Sequence, residues 1–175
     1  MINKYIAGLA ILTAFNANAA RDYSLSNFSY DTINVHVGLT DKQITADATK
    51  TVHPNAHLSL EISTDVDDQY QMSSGINFHA PITDWADLHG GIKGVYKDDG
   101  QKDDTGWAFE VGYRQWVSPQ IEAFAKVQWD YIDESDAGIR IGGLFHATSS
   151  FSLGATVGFN EVSDENLLLS TRFEF

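Results

Sequence analysis

Apolar and polar residues alternate along most of this chain. Ile121, Ala123, Ala125, Val127, Trp129 and Tyr131 take every second position, with Glu122, Phe124, Lys126, Gln128 and Asp130 between them. Trp107, Phe109, Val111 and Tyr113 repeat the pattern around Ala108, Glu110, Gly112 and Arg114. Phe151, Leu153, Ala155, Val157 and Phe159 do so around Ser152, Gly154, Thr156, Gly158 and Asn160. A period of two belongs to extended strands, whose successive side chains point to opposite faces. Each stretch therefore has one apolar and one polar face. No helical period is sustained after Asn27, so an all-β fold is expected.

Counting back from the C-terminus gives ten strands, near 166–175, 151–160, 137–147, 120–132, 106–117, 87–97, 70–80, 57–66, 43–52 and 30–40. The 43–52 segment alternates least, and reading it as loop, with 57–66 folded over the top, lowers the count to eight. The connections are of two kinds that strictly alternate. One kind is compact and holds most of the proline: His53-Pro54-Asn55-Ala56, Pro81-Ile82-Thr83-Asp84, Ser118-Pro119 and Thr148-Ser149-Ser150. The other is acidic: Asp65 to Asp68, Asp98 to Asp104, Asp133 to Asp136 and Glu161 to Glu165. Two strands and a loop thus form a repeating hairpin. Segments of about ten alternating residues joined by short turns are the pattern of a transmembrane β-barrel. The competing reading is a soluble antiparallel barrel or sandwich. Nearly unbroken apolar faces, mixed charges and glycines on the polar faces, and aromatics at strand ends favour the membrane form. The expected fold is a closed antiparallel up-and-down transmembrane barrel of about ten strands, with eight as the alternative.

Composition narrows the functional classes. The net charge of −13 leaves no basic surface for nucleic acid. The absence of cysteine removes disulfides, zinc–thiolate sites and thiol nucleophiles. No run of about 18 uncharged apolar residues is present for a membrane-spanning helix. Residues 1–19 look like a secretory signal peptide. Lys4 is followed by the apolar run Tyr5 to Phe15 and then by Ala17-Asn18-Ala19, a small-residue cleavage site. Residues 20–175 are then expected to form a single barrel domain.

The register assigns faces. Ile33, Val35, Val37, Leu58, Leu60, Ile62, Ile76, Ile92, Val111, Val127, Ile139, Ile141, Leu153, Val157, Leu167 and Leu169 are expected to face lipid. Two aromatic belts should flank them, as amphipathic rings favour the headgroup level. Tyr70, Tyr96, Trp107, Trp129, Tyr131 and Phe159 would lie toward the acidic loops. Phe78, Trp85, Phe145, Phe151, Phe173 and Phe175 would lie toward the compact turns. The lumen is expected to hold a charge network of Glu61, Lys93, Glu110, Arg114, Glu122, Lys126, Asp130, Arg140, Arg172 and Glu174, together with His36, Asp47 and Asp65. Unpaired buried charge is costly, so these groups should mostly pair and close the barrel. If water fills the lumen instead, the excess of carboxylates favours cations. Inner-face glycines suit tight curvature, or leave room for water.

Asp98, Asp99, Asp103 and Asp104 form the densest acidic group. They are candidates for divalent-cation bridging to lipopolysaccharide, with a merely solvated loop as the simpler reading. No loop matches a calcium-binding motif. His53, His57, His79, His89 and His146 fall near compact turns, and His36 lies mid-strand. No histidine falls in an acidic loop to serve as a catalytic base, and the spacings match no metal-ligand motif. No enzyme, metal or other cofactor is expected.

The final strand, Leu167-Leu168-Leu169-Ser170-Thr171-Arg172-Phe173-Glu174-Phe175, ends in phenylalanine. Together with the leader and the hairpin repeats it resembles small Gram-negative outer-membrane barrels. Phe28-Ser29-Tyr30-Asp31 and Ile82-Thr83-Asp84-Trp85 are similar to a poorly characterised family of these, more distantly OmpA/OmpX-type barrels. The resemblance implies that Phe173 and Phe175 are read by the barrel-assembly machinery. It implies periplasmic termini, extracellular acidic loops and contact with outer-membrane lipid and lipopolysaccharide. A monomer is expected, because a closed barrel has no edge strand. The leading functional expectation is an envelope or surface-interaction role with a closed lumen. A narrow, weakly cation-selective pore is the alternative, and a lipid-active enzyme is less favoured.

Overall fold

The structure is a computed structural model that describes residues 26–40, 42–65, 69–132, 135–160 and 166–175. The signal peptide expected over residues 1–19 lies outside the described residues. Ten antiparallel strands follow in chain order: β1 (Thr32–Gly38), β2 (Ile44–His53), β3 (Ala56–Thr64), β4 (Tyr70–Thr83), β5 (Ala86–Asp98), β6 (Asp103–Ser118), β7 (Ile121–Tyr131), β8 (Ser135–His146), β9 (Phe151–Asn160) and β10 (Asn166–Glu174). Each pairs with its chain neighbour, and β1 pairs with β10 to close the barrel. Closure gives the inner backbone groups ladder partners, the condition for crossing lipid with strands. No described helix is long and apolar enough to cross a membrane.

The weakly alternating 43–52 segment is a strand. It pairs with β1 and β3 along its length, and its inner-face Asp47 is held by Asn34 at 2.7 Å and His36 at 3.0 Å of β1. The eight-strand alternative therefore fails. The turn expected at Pro81–Asp84 is displaced. β4 continues through Pro81 to Thr83, and Asp84–Trp85 make the turn. A register shift lies between Pro81 and Thr83, and an irregular ladder tolerates the missing proline N–H.

Outer and inner faces follow the expected parity. Ile92, Ile141 and Leu169 are each about half exposed on the outer wall. Phe78, Trp85, Phe145, Phe173 and Phe175 are exposed near the compact-turn end, and Trp107, Tyr131 and Phe159 near the other. Trp107 stacks on Tyr131 with centroids 4.2 Å apart, and Phe151 packs on Phe173 at 5.1 Å. Inner-face glycines leave little empty room. A Cβ at Gly112 would come within 2.2 Å of the His89 ring, and one at Gly75 within 2.8 Å of the Lys93 stem. The missing side chains make slots for large polar groups from the next strand.

Candidate functional site

The lumen is the candidate site, and one of its ends is occupied by the chain itself. Residues 26–31 precede β1, which lies opposite β6 in the ring of strands. Ten strands spaced by about 4.8 Å and tilted by about 40° make a ring roughly 20 Å across. Six extended residues reach about the same distance. The segment uses that reach to cross the mouth at the compact-turn end. Ser26 donates a hydrogen bond to Asp87 on β5, and Asn27 donates to the carbonyl of Asp84 in the β4–β5 turn. Phe28 stacks on Trp116 of β6, with centroids 5.4 Å apart and planes 7° from parallel. Tyr30 stacks on His79 at 3.8 Å and on His57 at 4.6 Å, and its hydroxyl donates to Asp87 at 2.9 Å.

Phe28 and Tyr30 are both buried although neither belongs to a strand. The Arg114 guanidinium lies over both rings, at 4.6 and 5.0 Å, and donates to the Ser29 carbonyl. Burial holds the Tyr30 phenol above its ordinary range, with Arg114 opposing and Asp87 reinforcing the effect. Asp31 anchors the segment's last residue at the wall. Burial raises its carboxyl, but the Thr51 N–H at 2.6 Å and Lys50 at 3.2 Å outweigh that and hold it below the usual range.

Behind this segment the charges interlock. Glu122 is fully buried and accepts two hydrogen bonds from Arg114, at 2.8 and 2.9 Å. Arg172 donates to the same carboxylate at 3.1 Å, and His146 lies 3.2 Å from it. Lys93 bridges Glu110 at 2.7 Å and Glu61 at 3.5 Å, and Lys126 reaches Glu110 at 3.3 Å. Glu174 lies 3.7 Å from His146. The register places these groups inside, and neighbouring strands bring their opposite charges together. Two residues of the expected network stay outside its ion pairs. Asp130 bonds to Gln128, and Arg140 forms no hydrogen bond or ion pair among the described residues. Asp65 is not lumenal. It closes the β3–β4 turn, its carboxylate accepting from the Gln69 N–H.

Sequence reasoning missed Asp87, which holds the segment, and the inward direction of His57, His79, His89 and His146. Parity within β5 carried a usable signal, because Asp87 lies two, four and six positions before His89, Gly91 and Lys93. It missed Phe28 and Tyr30 as lumenal groups because they fall before the first strand, where alternation says nothing.

Two hydrogen-bonded chains combine residue types used by hydrolases. Ser170 contacts His36 Nδ1 at 2.7 Å, and His36 Nε2 contacts Asp47 at 3.0 Å. Ser152 contacts His146 Nδ1 at 2.9 Å, and His146 Nε2 contacts Glu122. Both serines are buried, Ser170 in the middle of β10 and Ser152 second in β9, and both are paired on two sides, so their neighbouring N–H groups serve the ladders. An oxyanion would find no preorganised donors there. These chains position the imidazoles.

The acidic loop is built differently. Asp98 Oδ1 accepts from the Gly100 N–H at 2.8 Å. Asp99 Oδ1 accepts from the Gln101 and Lys102 N–H groups, at 2.9 and 2.7 Å. Those two donors hold the Asp99 carboxyl below its usual range. Lys102 meets Asp104 at 2.8 Å. These carboxylates shape their own turn, and no cluster of three or more metal-ligating side chains occurs among the described residues.

An apolar outer band, aromatic belts and a polar interior define a porin-like transmembrane β-barrel. Solved structures agree at the level of fold. The chain is similar to the KdgM porin, at 7% identity and a TM-score of 0.57, over 82% of this chain and 99% of that one. It is similar to the NanC porin, at 7% identity and a TM-score of 0.53, over the same shares. A second structure, of the KdgM porin in complex with disordered oligogalacturonate, gives a TM-score of 0.55 at 6% identity. No family model and no curated protein matches the sequence. The expected likeness to OmpA/OmpX-type barrels gains no support, and the likeness found is to porins.

Proposed function

We propose that this protein is an integral barrel of the Gram-negative outer membrane with a closed lumen and a structural or surface-interaction role. The observation that carries the reading is the 26–31 segment lying across one mouth, stacked on Trp116, His57 and His79. The Glu122–Arg114–Arg172 clamp behind it supports the same reading. In this reading the compact turns and both termini face the periplasm and the acidic loops face outward, the usual arrangement of bacterial barrels. Phe173 and Phe175 serve recognition by the assembly machinery. Outer-membrane lipid and lipopolysaccharide are the constant partners, and the barrel is a monomer.

The second reading is a narrow, weakly cation-selective pore. The fold shared with the KdgM and NanC porins favours it, as does the surplus of lumenal carboxylates. One experiment separates the two. The refolded chain is placed in a planar bilayer beside a Phe28→Ala/Tyr30→Ala double variant. Closure by residues 26–31 predicts a silent parent and, at most, rare conductance steps in the variant. Reproducible cation-selective steps from the parent would establish the pore and overturn the closed-lumen reading.

A further inference from the structure

A cavity of about 170 Å³ lies inside the barrel behind the N-terminal segment. Its wall carries four carboxylates, of Asp47, Glu61, Glu110 and Glu122, and five basic side chains, of Lys93, Arg114, Lys126, Arg140 and Arg172. Every one of those carboxylates has a partner. Asp47 is held by His36 and Asn34, Glu61 by Lys93, Glu110 by Lys93 and Lys126, and Glu122 by Arg114 and Arg172. Four of the five cations are used in those contacts, and Arg140 is the fifth.

Arg140 stands directly across from Lys126 on the neighbouring strand, and like charges in that position repel. Its other strand neighbour is Gly158, which offers no side chain. The charges of Glu61 and Asp130 act on it from farther away, without contact. A second group in the same wall also lacks a partner. The Thr156 hydroxyl is buried and makes no hydrogen bond among the described residues. Among the described residues, a guanidinium with five N–H donors and an idle hydroxyl lack an acceptor in this wall, beside the Lys126 ammonium that Glu110 holds at 3.3 Å.

We propose that Arg140, Lys126 and Thr156 form a binding site for a small carboxylate anion. The planar guanidinium fork matches a carboxylate in two parallel hydrogen bonds, which an ammonium cannot do. The cavity is smaller than the roughly 300 Å³ at which drug-sized pockets begin, so the ligand is small. Entry is from the acidic-loop side, because residues 26–31 cover the other mouth. The proposal does not depend on whether the lumen conducts.

The test uses the full refolded chain in detergent and ¹³C-acetate as the probe, followed by NMR line broadening as acetate is added. The parent should broaden the signal saturably. Arg140→Gln should weaken binding by about tenfold or more, the loss of a charge-assisted bidentate contact. Arg140→Lys should recover only part of it, and Thr156→Val should weaken it by a few-fold. Heat-modifiable mobility on a gel checks folding of each variant. If Arg140→Gln does not fold, Arg140→Lys and Thr156→Val carry the test. Broadening that never saturates in the parent, or equal affinity in every folded variant, overturns the site.

Discussion

At the compact-turn end, Tyr30 and Arg114 find partners far away in the chain, whereas at the acidic end Asp98 and Asp99 find N–H donors within a single turn. Tyr30 meets Asp87 across 57 positions, and Arg114 meets the Ser29 carbonyl across 85. Asp98 and Asp99 bond to backbone N–H groups two or three positions on. The first end is a tertiary construction that folds only when the ring closes. The second is made of local turns whose carboxylates stay in water. Burial magnifies each contact at the first end, and solvent screens each contact at the second.

This contrast can be broken where it is strongest. Glu122→Gln leaves two guanidiniums facing a neutral group, and should lower unfolding stability by about 3–5 kcal/mol. Urea unfolding from lipid vesicles measures it, and a loss below 1 kcal/mol would show that water already screens the clamp. Phe28→Ala removes the ring stacked on Trp116 and should cost about 3 kcal/mol, the lower end for a buried phenylalanine. Trp116 fluorescence should shift to longer wavelength in that variant. An unchanged spectrum would mean the segment does not rest on the indole in solution.

Asp31→Asn sharpens the comparison at the wall of the mouth. It should cost about 1 kcal/mol at neutral pH through the weakened Thr51 and Lys50 contacts. The folded carboxyl is depressed, so its contribution is complete above the unfolded value of about 4 and fades as pH falls through the folded value. Parent and variant stabilities should therefore converge in acid, and a constant difference would reject the linkage. The smallest effect is expected at the other end. Replacing Asp98, Asp99, Asp103 and Asp104 together by asparagine should leave unfolding stability unchanged within error, because asparagine keeps the turn's acceptor. A larger loss would mean that the acidic end is also held by long-range contacts.

The legibility of the molecule follows the same division. Parity and the assignment of Glu110, Arg114, Glu122 and Lys126 to one face could be read directly, because a period of two fixes direction. The weak β2 segment could not be read from itself. Its pairing with β1 and β3, and the hold of Asn34 and His36 on Asp47, appear only in the closed ring. Arg140 looked like any other lumenal cation, and only the register, with Lys126 on one side and Gly158 on the other, leaves it without an ion pair among the described residues.

By itself, then, the sequence determined an all-β chain with one apolar and one polar face per strand, joined by alternating compact and acidic connections. Those properties are local, set by side-chain polarity at every second residue and by turn chemistry. Tertiary structure decided which charges meet, that glycine slots are filled by His89 and Lys93, and that residues 26–31 lie across the mouth. These depend on closure, which brings β1 opposite β6 at a distance that six residues can span.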